Sequence, residues 1–275
     1  MTYTELYEQI KAKKSFLCVG LDSDPTLFPE CLKGVENPIF EFNKAIIDAT
    51  APYTVAYKPN TAFYEAEGLD GWKQLEMTVK YIKEKYPEIL IIADAKRGDI
   101  GNTAKRYAKC FFESMPCDAV TLAPYMGKDS VQPFLDYKGK WSVVLALTSN
   151  ASANDFEMLS VGEMPLYEKV IKTTMSWGSQ EDIMFVVGAT RPEKLAEIRQ
   201  YCPDNFFLVP GVGAQGGTVD EVAKYGLNSH CGLLVNSSRG IIFADKSENF
   251  AAVAAEKAHD YQQQMERELK ARNVI

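Results

Sequence analysis

The chain has 275 residues, 46% of them hydrophobic and 24% charged, which suits a large α/β domain with a sizeable core. Thirty basic against 37 acidic residues give a net charge of −7. That balance argues against nucleic acid or an anionic membrane as the main partner, so an anionic ligand must be held by a local cluster of donors.

The N-terminal stretch MTYTELYEQIKAKKS is charged and amphipathic, unlike a secretory signal, and no run approaches ~18 uninterrupted apolar residues. A first apolar run, FLCVGLD (16–22), precedes a helical pattern over 38–50 with Ile39, Phe42, Ile46 and Ile47 on one face. TVAYKP (54–59) follows, then a helix over 71–86 that repeats Leu75, Val79 and Ile82 before Pro87 stops it. Next come ILIIADAK (89–96), AVTLAPY (119–125) and SVVLALTS (142–149). The second half alternates regularly: a helix over 165–178, IMFVVGAT (183–190), a helix over 191–201, FFLVPGVG (206–213), a helix over 218–226 and GLLVNSSR (232–239). Gly178 and Gly226 suit helix ends. The last helix runs from Ser247, a plausible N-cap, to about Arg272.

The eight runs are continuous rather than alternating, as parallel strands covered on both faces require. Eight such strands interleaved with helices predict a single (β/α)8 TIM barrel over 1–275. A doubly wound open sheet is the other candidate, but GLDSDP after the first strand is not a GxGxxG fingerprint. The six cysteines (18, 31, 110, 117, 202 and 231) show no CxxC pair and read as reduced thiols of a cytoplasmic protein. His230 and His259 lack metal-ligand spacing, so a zinc site is not expected.

In such barrels the active site lies at the C-terminal ends of the strands. Those ends carry Asp22, Lys58, Asp94 with Lys96, Thr148, then PGVGAQGG (210–217) and NSSRG (236–240). Asp94 and Lys96 are two residues apart, so on a strand they project to the same face, where Lys58 of the neighbouring strand can join them. Asp99 lies beyond the strand after Gly98. A purely structural ion network at the barrel mouth is the plainer account of these charges. Across the mouth, GVGAQGG offers closely approaching backbone N–H groups, and Arg239 offers a fork for two phosphate oxygens.

DAKRGDIGNTA (94–104), with AYKPN upstream and PGVGAQGG and NSSRGI downstream, resembles orotidine 5′-phosphate decarboxylase. It is most similar to the longer bacterial subfamily (type 2), in which an arginine and a glycine separate the signature lysine from the second aspartate. The resemblance covers all eight strands in order. It implies a cofactor-independent decarboxylation of orotidine 5′-monophosphate to UMP in pyrimidine biosynthesis. It also implies a charged tetrad of Lys58, Asp94, Lys96 and Asp99. Lys96 would stabilise and protonate the carbanion at ring carbon 6. Asp99, with Ile100 and Thr103, would reach into the partner subunit of a homodimer. Asp22 would bind ribose, Thr148 the pyrimidine edge, and Gln215 and Arg239 the phosphate. Three rivals share parts of this pattern: a Schiff-base aldolase barrel, a magnesium-dependent sugar-phosphate decarboxylase, and a non-catalytic nucleotide-binding barrel.

Overall fold

In the computed structural model, residues 1–213 and 216–275 are described. The eight strands of the barrel are β1 (Leu17–Leu21), β2 (Ala56–Pro59), β3 (Leu90–Arg97), β4 (Ala119–Leu122), β5 (Trp141–Leu147), β6 (Ile183–Val187), β7 (Phe207–Pro210) and β8 (Leu233–Ser237). All neighbours pair in parallel and in chain order, and β8 closes onto β1 through Leu17↔Val235 and Val19↔Ser237. This is the expected TIM barrel. The predicted runs overshoot at several C-terminal ends; Thr148, for instance, turns its N–H to Glu157 and not to a neighbouring strand.

Burial follows the continuous apolar patterning. Every residue of β1, β6 and β8 is buried, since one face meets the barrel interior and the other a helix. The helix Pro38–Thr50 buries Ile39, Phe42, Ile46 and Ile47, as its periodicity predicts. The next long helix spans Gly68–Lys85, starting earlier than the predicted Gly71, and buries Leu75, Val79 and Ile82. No membrane-length apolar helix occurs among the described residues.

Some elements differ from expectation. A helix Gly101–Lys109, running into a wider turn at Cys110–Ser114, was not anticipated between β3 and β4. Its buried face holds only Ala104 and Ala108, too small a stripe to stand out as periodicity. The last helix begins at Phe250, not Ser247. Ser247 instead forms a turn just outside it, accepting from Asn249 N–H at 3.1 Å while its own hydroxyl donates to Asp245. Gly178 and Gly226 do not adopt the left-handed conformation of a helix cap. A Cβ at Gly226 would meet Leu233 Cδ2 at 2.9 Å, and one at Gly178 would meet Ile183 Cδ1 at 2.9 Å. Their role is close packing of helix against strand.

The N-terminal ends of the strands are tied by Arg199. Its guanidinium donates to the carbonyls of Gly226 (2.7 Å), Asn205 (2.5 Å) and Gly232 (2.6 Å), with longer bonds to Cys202 and Pro203. It also lies 3.7 Å from the ring centroid of Phe207. Removing this fork strands several carbonyls, each worth about 1–3 kcal/mol when buried. Arg199→Met should therefore lose about 3 kcal/mol and melt roughly 6–12 °C lower. Arg199→Lys should recover little, because a point charge cannot replace the fork. Thermal unfolding checks this, and turnover by the folded protein at 25 °C should stay near wild type.

Candidate active site

The parallel register β1–β2 sets Gly20 beside Lys58, so the strand ends bring Asp22 and Lys58 to one side of the mouth. Gly20 is small for a reason: a Cβ there would meet Ser238 Cβ at 2.7 Å. The close approach lets Ser238 Oγ donate to Gly20 O at 3.1 Å, which draws the end of β8, with Arg239 next in the chain, towards β1.

Asp94 is the centre of the charge cluster. Its Oδ2 accepts from Lys58 Nζ at 2.9 Å. Its Oδ1 accepts from Lys96 Nζ at 2.6 Å and from Thr121 Oγ1 at 2.9 Å. Lys58 Nζ also lies 3.8 Å from Asp22 Oδ1. Three of the four predicted tetrad members thus meet within one chain, with Asp22 alongside. Lys58 and Asp94 are buried, whereas the Lys96 side chain is 51% exposed and faces the open mouth.

Burial disfavours the charge on Lys58, but Asp94 and Asp22 outweigh it and hold its pKa above the usual lysine range. Burial likewise pushes Asp94 upwards, and Lys58 and Lys96 outweigh that, holding the carboxyl well below the usual carboxylate range. Both groups are charged at neutral pH.

The backbone at Lys96 is unusual. Its φ is +44°, in the left-handed region that a lysine adopts rarely, and the β3–β4 register shifts between Ala93 and Arg97. Thr121 holds this bulge: its hydroxyl accepts from Lys96 N–H at 2.9 Å while donating to Asp94. Arg97 then leaves the mouth. It pairs with Glu65, donates to Ala95 O at 3.1 Å and packs on Tyr107 and Phe111.

Asp99 stands apart from the cluster. Its Oδ1 accepts from Ile100 N–H at 2.7 Å, and it makes no ion pair with another described residue. Ile100 and Thr103, at the start of the helix Gly101–Lys109, are exposed. Thr148, one residue past β5, is held by the following loop through Glu157 and Asn150. Arg239 is exposed and lines a cavity of about 180 Å³ with Asp22, Lys58, Asp94, Gly211 and Asn236. It forms no ion pair with a described residue, so the fork is not committed to an acid. Gln215 lies outside the described residues. On either side of it Gly213 (φ +80°) and Gly216 (φ +90°) take conformations that favour glycine, and Thr218 caps the helix Val219–Gly226.

Three mouth residues escaped the sequence reading. Thr121 is the polar residue within the buried run AVTL. Asn60, which pairs as a bridge with Asp94 and lines the cavity, follows Lys58 in AYKPN. Asn236 opens NSSRG and is buried at the end of β8. Each had a signal, a polar side chain at a strand's mouth end, without a charge to draw attention.

Known proteins resemble this chain over nearly its whole length. Orotidine 5′-phosphate decarboxylase of Phocaeicola vulgatus is 58% identical over 269 residues, covering 97% of this chain and 98% of the relative. That of Christiangramia forsetii is 58% identical over 270 residues, covering 98% and 99%. Among solved structures, OMP decarboxylase of Leishmania donovani matches with a TM-score of 0.80 at 36% identity, covering 96% of this chain and 100% of that one. Orotidine 5′-monophosphate decarboxylase of Plasmodium berghei matches with a TM-score of 0.84 at 25% identity, covering 98% of each. The family model described as orotidine 5′-phosphate decarboxylase / HUMPS matches residues 15–254, and the chain belongs to that family.

Proposed function

We propose a residue-level route for the orotidine 5′-phosphate decarboxylase reaction that membership of this family, and 55–58% identity to relatives so named, bring to the chain. The enzyme is a carboxy-lyase, converting orotidine 5′-monophosphate to UMP and carbon dioxide. The observation that carries the route is the half-exposed Lys96 ammonium, held 2.6 Å from buried Asp94 at the barrel mouth.

When the C6–carboxylate bond breaks, its electron pair stays on ring carbon 6 and CO2 departs. The Lys96 ammonium stabilises that developing charge and donates its proton to carbon 6; solvent then reprotonates the amine. The balance calls for no oxidant, reductant or electron-sink cofactor. Asp94, fixed by Lys58 and Thr121, holds the ammonium in place. Arg239 and the 211–217 loop take the phosphate, Asp22 and Lys58 the ribose, and Thr148 the pyrimidine edge. Binding the distant phosphate contributes to transition-state stabilisation at carbon 6 by ordering the site.

The tetrad is completed across a homodimer. Asp99 has no cation paired with it among the described residues, and Ile100 and Thr103 are exposed beside it, which supports their reaching a partner's mouth. The chain is read as one catalytic domain over 1–275. Its cysteines are all unpaired, which fits the reducing cytoplasm.

Three outcomes test this route. Lys96→Ala should fold yet lose turnover; retention of more than about a tenth of wild-type turnover, a loss below ~1.4 kcal/mol, would remove Lys96 from the chemistry. Arg239→Ala should weaken UMP binding strongly, because a charge-assisted bidentate contact is lost, and unchanged affinity by calorimetry would point the fork elsewhere. A Lys96→Ala chain re-equilibrated with an Asp99→Ala chain should regain activity, since one site of each hybrid dimer collects both intact groups. The ceiling is about half a wild-type dimer per hybrid. Verified hybrids that stay inactive would return Asp99 to its own chain.

A further inference from the structure

The loop after β5 makes a specific approach to Thr148. Glu157 lies nine residues on, between the short helix Ala153–Phe156 and the ribbon formed by Ser160–Val161 and Met164–Pro165. It takes both polar hydrogens of Thr148: Oε2 accepts from the backbone N–H at 2.7 Å, and Oε1 accepts from the hydroxyl at 2.8 Å. The Glu157 backbone is itself tied down, its carbonyl accepting from Tyr167 N–H at 2.9 Å. Asn150 Oδ1 sits 2.6 Å from the same hydroxyl.

A hydroxyl has one proton and two lone pairs. A carboxylate only accepts, whereas Asn150 can turn its amide and present Nδ2 as a donor. The proton therefore goes to Glu157. One lone pair of Thr148 Oγ1 then receives Asn150, and the other is left for a ligand. So held, Thr148 is an acceptor towards the base and not a donor.

We infer that Glu157 is a positioning residue that sets base specificity by fixing the polarity of the Thr148 hydroxyl. The acceptor matches the N3–H of a pyrimidine-2,4-dione such as orotate or uracil. A cytosine-type base presents a lone pair at N3, and two lone pairs would face each other. The inference rests on Thr148 reading the pyrimidine edge, as proposed above.

Glu157→Gln is the informative substitution. The glutamine oxygen still accepts from the Thr148 N–H, but its amide nitrogen donates to the hydroxyl. The hydroxyl proton is released towards the base, where it suits a cytosine N3. UMP and CMP carry the same ribose phosphate, so the phosphate and ribose contributions cancel in the ratio of their dissociation constants. Calorimetry of wild type, Glu157→Gln, Glu157→Ala and Thr148→Val with both nucleotides separates the cases. The UMP preference should be marked in wild type and fall by about tenfold or more in both Glu157 variants, with UMP binding weakened in Thr148→Val. A general loosening of the loop would weaken both nucleotides alike and leave the ratio unchanged, which overturns the inference. An unchanged ratio in the Glu157 variants beside weakened UMP binding by Thr148→Val rejects Glu157 alone. Unchanged UMP affinity in Thr148→Val rejects the reading of Thr148, and this inference with it.

Discussion

One buried carboxylate organises the mouth of this barrel. Asp94 is clamped by Lys58 on one oxygen and by Lys96 and Thr121 on the other, and every functional assignment around it depends on that clamp. A carboxylate removed from water is tolerated only with such partners, and breaking a buried pair by deleting one member costs about 3–5 kcal/mol. The same clamp fixes the Lys96 ammonium at the mouth, where the proposed route needs one. Lys96 is thereby ordered at the surface of the mouth without being fully desolvated itself.

The strain at Lys96 belongs to the same device. A regular strand would continue the ladder and carry the chain past the mouth. The bulge in β3 re-aims it, and Thr121 stabilises the turn by bonding both the Lys96 N–H and Asp94. Non-glycine residues in the left-handed region persist where the surroundings over-determine them, commonly at functional sites. The barrel supplies that over-determination through the neighbouring strand. Arg97 then anchors the far side of the bulge on Glu65, Tyr107 and Phe111, and Asp99, two residues on, accepts from Ile100 N–H and takes no part in the cluster's ion pairs.

The mouth divides its charges by place. The ammonium–carboxylate cluster lies on the β2–β3 side and the uncommitted Arg239 fork on the β8 side, with the cavity between them. A net charge of −7 makes the protein as a whole unattractive to an anion. Recognition of a phosphorylated, carboxylated nucleotide is therefore a matter of local donors.

The sequence by itself determined the strand count, the parallel barrel and the side of it that carries the chemistry. Continuous apolar runs can be satisfied only by burial on both faces, and polar residues at their C-terminal ends have only the mouth to occupy. The i, i+2 spacing of Asp94 and Lys96 was enough to put both on one face, and the ordered motifs carried the family resemblance. What tertiary structure decided was pairing and conformation. No local pattern shows that Thr121 of one strand would hold the bulge of another, since both bonds span more than twenty residues of chain. The helix Gly101–Lys109 was invisible because two alanines make a weak stripe, and Gly178 and Gly226, placed near helix ends as expected, owe their small size to packing against the strands that follow them, a contact no local pattern shows. The link from Glu157 to Thr148 belongs to the same class. A carboxylate in an irregular loop has no periodicity to announce it, and only the folded loop brings it to both hydrogens of one residue.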